Sequence, residues 1–97
     1  IQYIEANDTI YVQGVGQYTA DASGIAAINP STYEAELILD ASTYAFGAIS
    51  GMAIISPTKG YFVGYAGWGD NTLYSFNPSD LNPTVTAISG LASSTFL

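Results

Sequence analysis

The sequence predicts an all-β chain: two copies of a four-stranded antiparallel unit, with essentially no helix. Three observations lead there. The chain repeats itself internally. No window keeps an apolar stripe at i, i+3, i+4 and i+7, the spacing an amphipathic helix needs. Gly, Pro and Asn punctuate the apolar runs at short intervals, as turns between strands do. The composition is compatible with one small folded domain. Of the 97 residues, 48% are hydrophobic and 13% aromatic, whereas disorder pairs high net charge with low hydrophobicity.

The repeat is legible in two blocks. Gly24-Ile25-Ala26-Ala27-Ile28-Asn29-Pro30-Ser31-Thr32-Tyr33 recurs as Thr72-Leu73-Tyr74-Ser75-Phe76-Asn77-Pro78-Ser79-Asp80-Leu81. Upstream, Thr9-Ile10-Tyr11-Val12-Gln13-Gly14-Val15-Gly16 matches Gly60-Tyr61-Phe62-Val63-Gly64-Tyr65-Ala66-Gly67. The offsets, Gly24 to Thr72 and Thr9 to Gly60, give a period of about 48–51 residues, within the range of known repeat architectures. The difference falls in 17–23 and 68–71, where loops tolerate insertion. A fainter echo links Ala41-Ser42-Thr43-Tyr44-Ala45-Phe46 to Ala92-Ser93-Ser94-Thr95-Phe96-Leu97.

Element by element, the first unit (1–40) predicts strands at 2–6, 10–15, 25–29 and 34–39, with Asn7-Asp8 as a tight hairpin turn. A connector follows at 41–48. The second unit (49–90) predicts strands at 50–55, 61–66, 72–76 and 84–88, and 91–97 is a tail or the start of a third copy. Pro57-Thr58-Lys59-Gly60 turns the chain between the first two of these strands, Pro pre-setting φ. Asn77-Pro78-Ser79-Asp80 turns it before the last, where Asn and Asp can bond their own backbone. Runs such as Tyr61-Phe62-Val63 are apolar on both strand faces, as in a sheet covered on both sides.

Four strands per unit of about 40–50 residues is the period of β-propeller blades. The pattern resembles the YVTN-type surface propeller repeats of bacteria and archaea, in which a strand like Gly60-Tyr61-Phe62-Val63 leads to a loop, a strand ending in Asp/Asn-Pro-Ser/Thr, and a closing strand. Here the turn carries Asn29 and Asn77 in place of the usual Asp. The resemblance implies an incomplete β-propeller of two blades, placed outside the cell or on its surface. Two blades leave apolar faces uncovered, with Ile10, Val12, Tyr61, Val63, Leu73 and Phe76 expected on them. Further blades of a longer chain, a ring of identical copies as in small two-blade lectins, or a stacked cross-β filament would each cover those faces. A chain that begins with Ile and ends as a third copy starts fits a segment of a longer ring.

The charge balance narrows the function. Eight acids stand against one Lys, with no Arg, His or Cys. That excludes a Ser-His-Asp triad, a cysteine nucleophile, a disulfide and a conventional zinc site. A net charge of −7 argues against nucleic acid, whose phosphates need Lys and Arg. No apolar run reaches the ~20 residues of a membrane-spanning helix. The acidic, Ser/Thr/Asn/Gly-rich composition also points outside the cell.

Candidate sites are few. Glu34 and Glu36 share a strand face, but same-strand neighbours cannot flank a scissile bond as a glycosidase pair must, so a solvated face is the reading. Asp21-Ala22-Ser23-Gly24 and Gly69-Asp70-Asn71 hold oxygen ligands without the alternating acids of a calcium loop. The glycine-rich Gly64-Tyr65-Ala66-Gly67-Trp68-Gly69 has no following helix or Lys to cradle phosphate. Asn7-Asp8-Thr9 matches the glycosylation sequon, but three residues match by chance and the turn reading dominates. Lys59 reads as a solvated turn residue. The one local ligand site expected is the loop carrying Trp68, Asp70 and Asn71, with Tyr18 in the equivalent loop of the first unit. An aromatic face beside polar groups suits a glycan, although the weightier reading has Trp68 plug the gap between neighbouring blades or layers. The expectation is a non-enzymatic binding or scaffold module without metal or cofactor. Its partners are further blades or copies of itself, and a glycan. The alternatives are a self-assembling extracellular filament, or a lectin that closes a ring by oligomerising.

Overall fold

A computed structural model describes residues 1–14, 23–44, 46–67 and 70–88. The chain is all-β. Strands β1 (Gln2–Ile4), β2 (Thr9–Gly14), β3 (Gly24–Ile28) and β4 (Ala35–Asp40) form one antiparallel sheet in sequential order. Strands β5 (Ala48–Ser56), β6 (Lys59–Gly67), β7 (Asp70–Phe76) and β8 (Thr86–Ala87) form a second with the same order. Neither sheet closes on itself. The only helical pieces among the described residues are two single 3₁₀ turns, Glu5–Asn7 and Ala41–Thr43.

Local chemistry explains the punctuation. The Asn29 carboxamide oxygen accepts from the Ser31 N–H at 2.9 Å, and the Asn77 oxygen accepts from the Ser79 N–H at the same distance. These are matching Asx turns, so the repeated Asn-Pro-Ser is one structural device used twice. Tyr33, just past the first of them, holds φ 62. The first hairpin is less tight than expected: β1 stops at Ile4, the 3₁₀ turn takes Glu5–Asn7, and Asp8 reverses the chain at φ 49. At the second connection the turn itself is Pro57-Thr58, and Lys59 already belongs to β6. Strand β8 is shorter than expected, two residues rather than five.

Ladder register defines the faces. In the first sheet Ile10 pairs with Ile28, Val12 with Ala26 and Gly14 with Gly24. In the second, Gly60 pairs with Phe76, Phe62 with Tyr74 and Gly64 with Thr72. Anchored on the equivalent Asn29 and Asn77 turns, Ile10 therefore corresponds to Gly60 and Val12 to Phe62. This is one residue away from the pairing that sequence matching suggests.

The sheets pack on each other through one face apiece. Tyr11, Ile25 and Leu39 from the first join Ile49, Ile54, Phe62 and Phe76 from the second, with Phe46 from the connector, in one buried cluster. Phe76 is 4% exposed inside this core, not on an outer face as the sequence suggested. The other five residues expected outward, Ile10, Val12, Tyr61, Val63 and Leu73, are half-buried on the two remaining faces.

Polar side chains also stitch the sheets together. The Gln2 carboxamide accepts from the Ile54 N–H at 2.7 Å and donates to the Ile54 carbonyl. Gln13 donates to the Ile49 carbonyl at 3.0 Å, and the buried Ser23 hydroxyl accepts from the Ile49 N–H at 2.8 Å. Strand β5 is an edge strand, and these three side chains occupy part of its outer edge. Across the other side, Asn82 donates its N–H to the Ile38 carbonyl and accepts from the Asp40 N–H, covering part of the β4 edge. The Gln2→Ala variant leaves both backbone groups of Ile54 without that partner. A loss of about 1–3 kcal/mol is expected from an unsatisfied buried donor or acceptor, and equilibrium denaturation in urea measures it.

Candidate functional site

The expected ligand loop divides between strand and undescribed chain. Strand β6 runs to Gly67, β7 begins at Asp70, and Gly67 pairs with Asp70, so the connection is 68–69 alone. Trp68 and Tyr18 lie outside the described residues, and so does the Asp70 side chain. Asn71 is described and sits in β7 rather than in a loop, opposite Tyr65. It is 1% exposed, and neither its carboxamide oxygen nor its nitrogen has a partner among the described residues. Its equivalent in the first sheet is Ser23, one residue before Gly24 as Asn71 is one before Thr72. Ser23 makes two bonds: it donates to the Gly14 carbonyl at 2.9 Å and accepts from Ile49.

Two concavities occupy the first sheet. One, of about 420 Å³, lies on its outer face over Val12, Gly14, Gly24, Ala26 and Leu37, with Asp40 and Ser42 at the rim. The dip follows from ladder pairing of Gly14 with Gly24, which leaves no side chain on either strand there. Asp40 is already engaged: its carboxylate accepts from the Ser42 N–H at 3.0 Å and hydroxyl at 2.8 Å, capping the 3₁₀ turn. The other, of about 460 Å³, runs beside Thr9, Asn29, Glu34 and Glu36 and is more polar. Both glutamates are exposed; Glu36 lies in β4 while Glu34 precedes it. A smaller trough of about 190 Å³ marks the outer face of the second sheet, over Gly51, Ala53, Tyr61, Val63 and Leu73.

The titratable groups are dispersed. Among the described residues, no three of Asp, Glu, His or Cys gather as metal ligands would. The Tyr3 phenol donates to the Asp8 carboxylate at 2.8 Å, and that bond holds its pKa above the ordinary value. Burial raises that of Tyr44, whose hydroxyl donates to the Pro83 carbonyl at 2.6 Å. The only cation, Lys59, lies over the Tyr61 ring at 5.5 Å from its centroid. Among the described residues, no helix is long and apolar enough to cross a membrane.

What the residues bring together is apolar surface rather than reactive groups. Among the described residues, each sheet has one face in the core and one face half-buried over most of its length, with Ala48 and Asn71 buried at one end of that face in the second sheet. Sequence reasoning missed the Gly14–Gly24 concavity, because the signal is a cross-strand pairing of two glycines ten residues apart in sequence. Compared with protein-family models, with curated proteins and with solved structures, the chain matches none.

Proposed function

We propose that this chain is a non-enzymatic binding or scaffold module at the cell surface, a two-blade segment of an incomplete β-propeller. The observation that supports it most is the pair of open apolar faces. Val12, Ala26 and Leu37 line one, Ala53, Tyr61, Val63 and Leu73 the other, and Leu37 is 50% exposed. Contiguous apolar surface of this kind marks interaction sites rather than ordinary protein exterior. A surface poor in charge, whose carboxylates do not cluster among the described residues, suits binding better than proton-transfer chemistry. The resemblance to surface propeller repeats supports the extracellular location.

Within that module the ligand is a glycan held at the rim. The connection leaving Gly14 and the one leaving Gly67 are equivalent in the two sheets, and they carry Tyr18 and Trp68 respectively. An aromatic ring presents a sugar with an apolar face while the neighbouring amides and carboxylates take its hydroxyls. Screening the chain against a glycan array is expected to return a bound class, and Trp68→Ala to weaken it about tenfold or more. Glycan binding undiminished in that variant would remove the loop from the proposal. Recovery of the chain in the cytoplasm of its source cells would remove the surface location.

A further inference from the structure

We infer that the two open faces are complementary to each other, and that a second copy of this chain docks head to tail, the outer face of its first sheet on the outer face of the second. The inference rests on the surface-binding reading above and names the partner of that surface.

Strand register shows how the two faces differ. One face of the first sheet is Ile10, Val12, Gly14, Gly24, Ala26, Ile28 and their neighbours; its equivalents in the second are Gly60, Phe62, Gly64, Thr72, Tyr74 and Phe76. In the second sheet that face is packed; in the first it is open. The opposite face of the first sheet, with Tyr11, Ile25 and Leu39, is packed in the core. Its counterpart in the second, with Tyr61, Val63 and Leu73, is open. The contact inside the chain is therefore heterologous: one kind of face on the other kind. Among the described residues one face of each kind is left unpaired, so a second copy can extend the contact the chain already makes. Two identical faces meeting across a two-fold axis would have no precedent in the molecule.

Charge adds a second argument. Stacking in the same sense brings the β1–β2 and β5–β6 turns of successive sheets to one end. Lys59, on the same side of β6 as Tyr61, then lies at the end where the neighbouring copy carries Glu5 and Asp8. The sole cation of a chain of net charge −7 is thus directed to acidic residues across the contact. A heterologous contact either closes a ring or continues as an open stack.

Sedimentation velocity on the purified chain at micromolar concentration, with single-face variants, tests this. Leu37→Glu spoils the first open face and Val63→Glu the second; neither residue belongs to the buried cluster. Val12→Glu and Leu73→Glu are second variants on the same faces if circular dichroism shows either first choice unfolded. The wild type is expected to sediment as species larger than a monomer. Each variant alone is expected to self-associate about a hundredfold more weakly or worse, because a carboxylate buried without a partner is heavily penalised. Equal mixtures of the two are expected to form a 1:1 dimer that grows no further, each supplying the face the other lacks. A monomeric wild type overturns the inference, as does a mixture that stays monomeric. Association of either folded variant by itself, as a two-fold contact would allow, also overturns it. Glycan binding through Trp68 is read separately, so either result can fail without the other.

Discussion

Truncating Phe62 to Ala is expected to cost about 3–5 kcal/mol, the usual range for deleting a buried aromatic ring. Phe62 is 1% exposed at the centre of the core. Its ring lies 4.9 Å from Phe46, 5.2 Å from Tyr74 in a stacked arrangement, and 5.5 Å from Phe76 edge-on. Each such pair is worth roughly 0.5–1.5 kcal/mol beyond the area it buries. The neighbouring positions on the same strand face are Gly60 and Gly64, which offer nothing to refill the hole. Those glycines are themselves occupied from above: a Cβ at Gly60 would meet the Phe76 ring at 2.8 Å, and one at Gly64 the Tyr74 ring at 2.8 Å. The rings around Phe62 are therefore seated on glycine and can move into the void only by leaving those seats. Small domains have total stabilities of about 5–15 kcal/mol, so the variant should lose a third or more of an average margin and unfold at a much lower urea concentration. Urea denaturation followed by tyrosine and tryptophan fluorescence measures the loss. A cost under about 1.5 kcal/mol would show that the core relaxes around the deletion as volume-conserving swaps allow, and that the aromatic cluster is not its centre.

The same residues show which parts of the fold can be read from sequence. Strand positions, sequential antiparallel pairing and both Asx turns follow from local chemistry: apolar runs, breakers, and an Asn that bonds its own backbone. Face assignment does not. Sequence matching aligned Thr9 with Gly60, whereas the ladders align Ile10 with Gly60. A one-residue slip exchanges the two faces of a strand. Where both faces are apolar, as in Tyr61-Phe62-Val63, alternation carries no signal to prevent it. Phe76 was expected outside together with Leu73, but the two are three residues apart on β7 and so lie on opposite faces: Leu73, opposite Val63, is on the open face and Phe76, opposite Gly60, in the core. The candidate site was legible only as a loop with an aromatic and two polar residues. That Asn71 is buried in β7, and that Gly14 and Gly24 meet to form a concavity, depends on cross-strand register.

Replacing Gly24 by Ala is expected to destabilise the chain by about 3 kcal/mol or more, at the upper end for overpacking, although only one methyl is added. Gly24 is buried, and a Cβ there would stand 2.4 Å from the Leu39 carbonyl oxygen and 3.0 Å from a Leu37 methyl. The approach comes from the β3–β4 ladder, where Ile25 pairs with Leu39 and Ala26 with Leu37, leaving Ile38 as the extra residue of a bulge. Bulges bend the strand that carries them and increase its local twist. The Leu37 methyl can rotate away; the Leu39 carbonyl, being backbone, cannot. Relief requires β3 and β4 to separate at this end, which draws Ile38 and Leu39, both core residues, out of their contacts. It also shifts the neighbouring Ser23, whose hydroxyl joins the Gly14 carbonyl to Ile49 of the second sheet. Gly51 supplies the control. It is also a strand glycine, but a Cβ there finds its nearest neighbour, a Val63 methyl, at 4.0 Å. Gly51→Ala is expected to be neutral or to stabilise by about 0.4–1 kcal/mol, through the smaller conformational freedom of the unfolded chain. Urea midpoints of the two variants, measured at one protein concentration, should therefore move apart, Gly24→Ala well below the wild type and Gly51→Ala at or above it. Equal midpoints would mean that the first sheet opens at Gly24 without cost, and that the β4 bulge does not hold Leu39 against β3.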